Sequence, residues 1–341
     1  MADAPPLSGE AAEIVFDGTT KRYGEEPRPA VDHLSLAIPA GEICVLVGPS
    51  GGGKTTAIKM VNRLIDISEG DIRIDGRSVR EFEPNQLRRR IGYVIQQIGL
   101  FPHLTVAGNV ATVPRLLGWE RQRVAERTDQ LLDLVGLDPE RYRRRYPNEL
   151  SGGERQRVGL ARALAGNPRV MLMDEPFGAL DPITRVRLQD EFLRLHRELR
   201  KTVIFVTHDI DEAIKMGGRI AIIREGGVLV QYATPDELLA HPADDFVARF
   251  VGADRGLKRL ALSTLADLDL DPSPAGARPN GLSAVATTTL RDALSLMLTH
   301  RGTPLVVIDG DGKPLGMASL QHVVDALSAN GSGARAGSQS R

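Results

Sequence analysis

Three groups of residues in this 341-residue chain carry chemistry by their type and spacing. The first is Gly48-Pro49-Ser50-Gly51-Gly52-Gly53-Lys54-Thr55-Thr56, which follows the apolar run Ile43 to Val47 and precedes a helical pattern of Ile58, Val61, Leu64 and Ile65. A Gly-rich loop between strand and helix lets successive backbone N–H groups curl around phosphates, and the helix N-terminus adds its positive dipole. Lys54 supplies a point charge for the β and γ phosphates, and the Thr55 hydroxyl is placed to hold Mg²⁺. In the second group, the apolar run Val170 to Met173 delivers Asp174 and Glu175 at its C-terminal end, where ligands of open α/β sheets bind. Asp174 is placed for the Mg²⁺ shell, directly or through water, and Glu175 to orient and deprotonate an attacking water. The third group, Leu150-Ser151-Gly152-Gly153-Glu154-Arg155-Gln156-Arg157, opens a helix that continues through Val158, Leu160 and Leu164. Such a helix start presents a hydroxyl and free N–H groups to an anion.

The elements that must hold these groups are legible as patterns. Ile43 to Val47, Val170 to Met173, Val203 to Thr207 and Ile220 to Ile223 are near-continuous apolar runs, as expected of parallel strands covered on both faces. Leu188, Phe192, Leu195 and Leu199 form a helical stripe facing a sheet. Ile14 to Phe16, Leu34 to Ile38 and Asp71 to Ile74 alternate or sit beside turns and predict a smaller antiparallel layer. The expected fold class is therefore α/β: a P-loop NTPase domain over residues 13–250, with a mainly parallel sheet, helices and an antiparallel β layer. Residues 251–283 contain the turn-rich Asp269 to Gly276 and predict a linker. Residues 284–327 then predict a small α+β unit. It comprises a helix at Leu290 to Met297, a strand at Leu305 to Ile308, a turn at Asp309-Gly310-Asp311-Gly312, a strand at Leu315 to Leu320 and a closing helix through Val323, Val324 and Leu327. Residues 1–12 and 328–341 have the composition of disordered termini.

Charge and cysteine usage exclude several function classes. The 43 basic and 44 acidic residues leave a net charge of −1, so no global field gathers nucleic acid or anionic lipid, and no nucleic-acid partner is expected. The clusters Arg88 to Arg90 and Arg143 to Arg145 predict solvated faces. Cys44, the single cysteine, lies inside an apolar strand and predicts a core hydrophobe, which rules out a disulfide framework. No secretory start and no run of about 20 apolar residues is present, so a cytosolic protein is expected whose membrane role would come through a partner.

The order of the motifs resembles one superfamily, the ABC ATPases, because the Leu150 to Arg157 signature stands shortly before the carboxylate strand. The resemblance implies ATP and Mg²⁺ as ligands, a helical subdomain, and a head-to-tail dimer. In that dimer Ser151, Gly152 and Gly153 of one copy face the γ-phosphate held by the other. It also implies that Tyr23 stacks on adenine, that Gln96 reaches Mg²⁺ and the attacking water with Gln97 as a neighbouring candidate, and that Leu100 to Val106 line a groove for a membrane subunit. Asp181, in Ala179-Leu180-Asp181, matches the loop that crosses to the partner's site, and His208 matches the histidine that contacts the γ-phosphate. Glu175, His208 and Lys54 are the implied catalytic residues.

Within the superfamily, residues 13 to about 258 resemble ATPase subunits of bacterial importers of glycine betaine, proline, carnitine and choline. The segments Tyr93 to His103, Asp174 to Arg185 and Phe250 to Leu260 carry that likeness. Integral membrane permease subunits and, indirectly, a solute-binding protein are the implied partners, at the cytoplasmic face of the plasma membrane. Residues 284–327 resemble a CBS module, regulatory or dimerising, with Leu260 to Leu270 as the remnant of a second one. The Ser/Thr-x-x-Asp that holds a ribose in such modules stands here as Ser319-Leu320-Gln321-His322, without the acid. The alternatives are an importer for amino acids or polyamines, and an ABC ATPase of DNA repair. The latter would need a long coiled coil or DNA-binding insertion between the phosphate loop and the signature.

Overall fold

The computed structural model describes residues 11–24, 26–96, 99–178, 180–272 and 282–329. Their contacts separate two units, Met1–Pro235 and Asp236–Arg341.

In the first unit β1 (Ile14–Lys21), β2 (Val31–Ile38), β4 (Glu69–Ile74) and β5 (Arg77–Ser78) form an antiparallel sheet in the order β2-β1-β4-β5. The second sheet is built from β3 (Ile43–Val47), β6 (Ile91–Val94), β7 (Val170–Asp174), β8 (Thr202–Thr207), β9 (Arg219–Arg224) and β10 (Val228–Ala233). Its order is β10-β9-β3-β8-β7-β6, and every pairing is parallel except β9 with β10. Every residue of β3, β7 and β8 is buried, which is why these strands are written as unbroken apolar runs. Phe16, Leu34 and Ile38 of the antiparallel layer share one core with Leu46, Ile58 and Ile204. Each such side chain contributes about 1.5–3 kcal/mol by leaving water. Between β6 and β7 the chain is helical, with Val106–Val110, Thr112–Leu116, Arg121–Leu134, Pro139–Tyr142 and Gly152–Leu164, the expected helical subdomain.

Cys44 is fully buried, and burial pushes its thiol up to about 12, so it has no thiolate character at neutral pH. The arginine clusters are more engaged than a solvated face requires: Arg88 donates to the Asn62 and Arg63 carbonyls, and Arg143 pairs with Asp129 at 2.9 Å.

The second unit contains β11 (Ser283–Val285) parallel to β12 (Leu305–Ile308), which is antiparallel to β13 (Pro314–Ala318), with helices Leu290–Thr299 and Leu320–Ala329. The β12–β13 turn is held by Asp309, whose Oδ1 accepts from the N–H groups of Asp311 and Lys313 at 2.9 and 2.8 Å. Two expectations change here. Residues 251–271 are not linker: helix Arg255–Leu260 and the turn Leu265–Asp267 bury Leu260 and Leu265 in one core with Leu290, Met297, Leu305 and Val323. The same segment bridges Thr264 to Thr289 and Asp271 to Met317, so Leu260 to Leu270 complete this unit rather than begin another. Apolar residues at irregular spacing gave no period from which to read that packing. The Ser/Pro/Gly stretch 273–281 lies outside the described residues, as do 1–10 and 330–341. Ala12, read with the N-terminal tail, is instead fully buried, and its carbonyl accepts from Thr202 Oγ1 at 2.6 Å.

Candidate nucleotide site

Parallel register brings the chemical groups to one edge of the sheet. Val47 pairs with Thr207 and Asp174 with Val206, so the phosphate loop after β3, the carboxylates ending β7 and His208 after β8 emerge side by side. Val94 pairs with Met173, which places Gln96, two residues on, at the same edge. These are the C-terminal ends of the strands, where a doubly covered sheet leaves a crevice.

The phosphate loop is set by close backbone approach. A Cβ at Gly48 would stand 1.9 Å from the Ile223 carbonyl oxygen, and one at Gly53 would stand 2.0 Å from that of Ala30. Gly53 also has φ 75° and precedes helix Lys54–Val61 with no side chain capping it, so the first N–H groups of that helix have no competing internal acceptor. Lys54 is 6% exposed, and its ammonium donates to the carbonyls of Gly48 and Pro49, both at 2.8 Å. Two of its three hydrogens thus brace the loop, leaving one for a ligand. Burial holds its pKa below the ordinary lysine value, opposed by the nearby charges of Glu175 and Asp174. Pro49 is half-buried, Ser50 and Gly51 are exposed, Gly52 is buried, and Thr56 is half-buried in the first helical turn.

Thr55 Oγ1 donates to Asp174 Oδ1 at 2.9 Å. Asp174 is 6% exposed, and burial raises its carboxyl above the usual range despite that bond. Two oxygens at this separation match neighbouring vertices of an octahedron around an ion with bonds of about 2.0–2.1 Å, the Mg²⁺ value. Among the described residues no cluster of three or more His, Cys, Asp or Glu forms a protein-only cage. The donor set therefore fits a Mg²⁺ that arrives on phosphate with most of its waters. A raised carboxyl pKa means that ionised Asp174 destabilises the fold: that cost is absent below the unfolded pKa and fully present above the raised one. Asp174→Asn is accordingly expected to raise the melting temperature of the nucleotide-free protein at neutral pH while removing hydrolysis. A calorimetric scan showing a lower melting temperature would contradict this.

Glu175 adopts φ 44°, a left-handed conformation rare outside glycine, with its N–H held by the Val206 carbonyl at 3.0 Å. The turn aims its carboxylate between two loops. Gln96 Nε2 donates to Oε2 at 2.8 Å, and His208 Nδ1 lies 3.1 Å from Oε1, a contact an ionised carboxylate makes only with a protonated nitrogen. Glu175 keeps accepting capacity for a water, since a carboxylate has about four lone-pair sites. Gln97 lies outside the described residues. Tyr23 is 40% exposed on the β1–β2 connection, with Lys21 Nζ 5.1 Å from its ring centre. That connection continues to Ala30, the residue against which Gly53 packs.

The signature residues gather elsewhere. Ser151 caps helix Gly152–Leu164: its hydroxyl accepts from Glu154 N at 3.3 Å, while Glu154 Oε2 accepts from Ser151 N at 2.7 Å. Asp181 caps helix Pro182–Leu199 through Thr184 N at 3.0 Å, and those bonds hold its pKa below the ordinary value. Ser151, Gly152, Gly153, Leu180 and Asp181 line one open cleft, to which no residue of 48–55 contributes. Ala179 lies outside the described residues.

The model for the family described as ABC transporter matches residues 31–178, and the CBS domain model matches 278–329. The osmoprotectant import ATP-binding protein OsmV of Salmonella typhimurium is 49% identical over 316 residues, covering 92% of this chain and 81% of its own. The chain belongs to the ATP-binding proteins of ABC transporters. It is similar, too, to the glycine betaine/carnitine/choline transport ATP-binding protein OpuCA of Bacillus subtilis, at 50% identity over 83% of this chain and 72% of that protein. A solved dimeric post-hydrolysis state of the ATP-binding cassette MJ0796, bound to ADP and Pi, is 35% identical. It covers 65% of this chain and 98% of that one, with a TM-score of 0.57. Binding and hydrolysis of ATP are thereby this ABC ATPase's chemistry.

Residues outside the motifs support the site of this ABC ATPase. Tyr142 donates to Glu154 Oε1 at 2.6 Å and, with the Ser151 bonds, holds that carboxyl below the ordinary range, steadying the signature cap from another helix. No sequence pattern links positions twelve apart across a loop.

Proposed function

We propose that this chain is the motor of an importer for quaternary-amine osmoprotectants, hydrolysing MgATP between two head-to-tail copies of itself. The single observation that carries the split site is the separation of the signature cleft from the phosphate loop of the same chain. A helix start that offers a hydroxyl and N–H groups fits a phosphate, and a second copy's Lys54 site supplies one. Relatives named for osmoprotectant and for glycine betaine, carnitine and choline transport support the cargo class.

In this reading the loop Gly48 to Thr56 wraps the phosphates, Tyr23 stacks on the base, and Lys54 meets the β and γ phosphates. Thr55, Asp174 and Gln96 would hold Mg²⁺, which supplies charge neutralisation between the β and γ phosphates. Glu175 accepts a hydrogen bond from water and orients it for in-line attack, and His208 touches both Glu175 and the γ-phosphate. From the partner, Ser151, Gly152, Gly153 and Asp181 close the site and stabilise developing negative charge.

No helix among the described residues is long and apolar enough to cross a membrane, so permease subunits provide the path and hold the motor at the cytoplasmic face. A solute-binding protein presents the cargo. The CBS module regulates or dimerises. Its Ser319 is occupied internally, donating its N–H to His322 Nδ1 at 3.0 Å, which leaves a regulatory role free of the usual ribose contact. Uptake of radiolabelled glycine betaine and choline by the complex assembled with its permease tests the cargo. ATP-dependent accumulation of either is expected, and accumulation of amino acids or polyamines alone would transfer the motor to another importer. Deleting residues 260–341 is expected to change how uptake responds to ionic strength; an unchanged response leaves the module a dimerising role only.

A further inference from the structure

We propose that Glu212 is a positioning residue that locks the backbone around His208 to the helix carrying Asp181, so that a chain's contributions to its own ATP and to its partner's move together. This rests on the split-site reading above. Glu212 is 8% exposed in helix Ile210–Met216, which begins just after His208. Its carboxylate accepts from Gln189 Nε2 at 2.9 Å, and the Thr207 hydroxyl beside it favours the charged form. That hydroxyl in turn accepts the Asp209 N–H at 3.0 Å, and the Glu212 N–H reaches Asp209 Oδ1 at 3.3 Å. His208 therefore sits in a three-residue span with the Glu212 carboxylate beside Thr207 at one end and the Glu212 backbone N–H bonded to Asp209 at the other. The span starts at Thr207, which pairs with Val47 beside the phosphate loop.

The other side of Glu212 leads to the crossing loop. Gln189, 4% exposed, lies on helix Pro182–Leu199, whose first turn is capped by Asp181. Arg185 on that helix donates to the Leu180 carbonyl at 3.2 Å, and its charge acts on Glu212. A second tie runs parallel: Lys215 pairs with Asp190 at 2.8 Å and donates to the Val186 carbonyl at 3.4 Å. Packing alone does not call for a carboxylate here, since burial disfavours its charge and an apolar side chain would fill the space at lower cost. What the carboxylate adds is a directional bond from the helix that follows His208 to the helix that follows Asp181, the property a coupling element needs.

Steady-state ATPase kinetics of the full chain test this. Glu212→Ala is expected to lower kcat about tenfold with the KM for ATP changed by less than about twofold, and to bring the Hill coefficient for ATP toward about 1. Glu212→Gln, which keeps an acceptor for the Gln189 amide, is expected to restore both. Gln189→Leu leaves the Glu212 carboxylate beside Thr207 in place and is expected to lower the Hill coefficient with a smaller loss of kcat. Wild-type kcat and Hill coefficient in both Glu212→Ala and Gln189→Leu would overturn the proposal. So would a defect in Glu212→Ala that tracks a fallen melting temperature and that Glu212→Gln does not repair. Glu175→Gln with ATP serves as the parallel control. If it dimerises while Glu212→Ala behaves as wild type, the coupling alone fails; if it stays monomeric, the split site fails and the coupling with it.

Discussion

Glu175→Gln lowers the hydrolysis rate by about a thousandfold while leaving ATP bound, the expected loss when a general base is replaced by an amide in an otherwise intact site. The geometry explains why binding survives. Glu175 contacts Gln96 and His208 and makes no bond to the phosphate loop, so the Lys54 and Thr55 contacts persist in the variant. Glutamine is nearly isosteric and can still face Gln96 and His208, but it cannot take a proton from water. Rapid-quench measurement of bound ATP turnover distinguishes the outcomes; turnover within threefold of wild type would remove Glu175 from the base position.

Lys54→Ala is the second large effect. Its ammonium is buried and spends two hydrogens on the Gly48 and Pro49 carbonyls, so removal takes away a phosphate charge and loosens the loop that presents the N–H groups. A drop of about 10²–10³ in kcat is expected from the lost electrostatic contact alone, with weakened ATP binding besides. Thermal shift provides the readout. ATP at a hundred times its Kd stabilises the wild type by about 2.7 kcal/mol, whereas the variant should show little shift at that concentration. Lys54→Arg should not rescue, because a planar fork does not fit a pocket built around a compact ammonium donating to two carbonyls of one loop.

These effects rest on residues that the sequence makes legible because each meets a local demand. Gly48 and Gly53 are fixed by carbonyls that stand where a Cβ would be, and Ser151 and Glu154 by the unsatisfied ends of one helix. The buried strands β3, β7 and β8 follow from burial on two faces, which leaves no polar alternation to misread. Long-range satisfaction is not written locally. The clasp of Glu175 by Gln96 and His208 joins residues 79 and 33 positions apart, and Gln189 meets Glu212 across 23. The second unit shows the same limit: Leu260 and Leu265 look like linker because what makes them core is a helix thirty residues further on. Turn chemistry was informative there, since Asp309 closes its turn as an aspartate does in a hairpin.

In the proposed dimer one chain holds half of each ATP site, with Ser151 serving the nucleotide that another copy's Lys54 holds. Light scattering on purified Glu175→Gln, with and without ATP, tests it most directly. The mass of one chain without ATP and of two chains with it is the predicted result, with Ser151→Arg in the same background abolishing the change. A mass of one chain under saturating ATP, with bound nucleotide confirmed, would contradict the shared site.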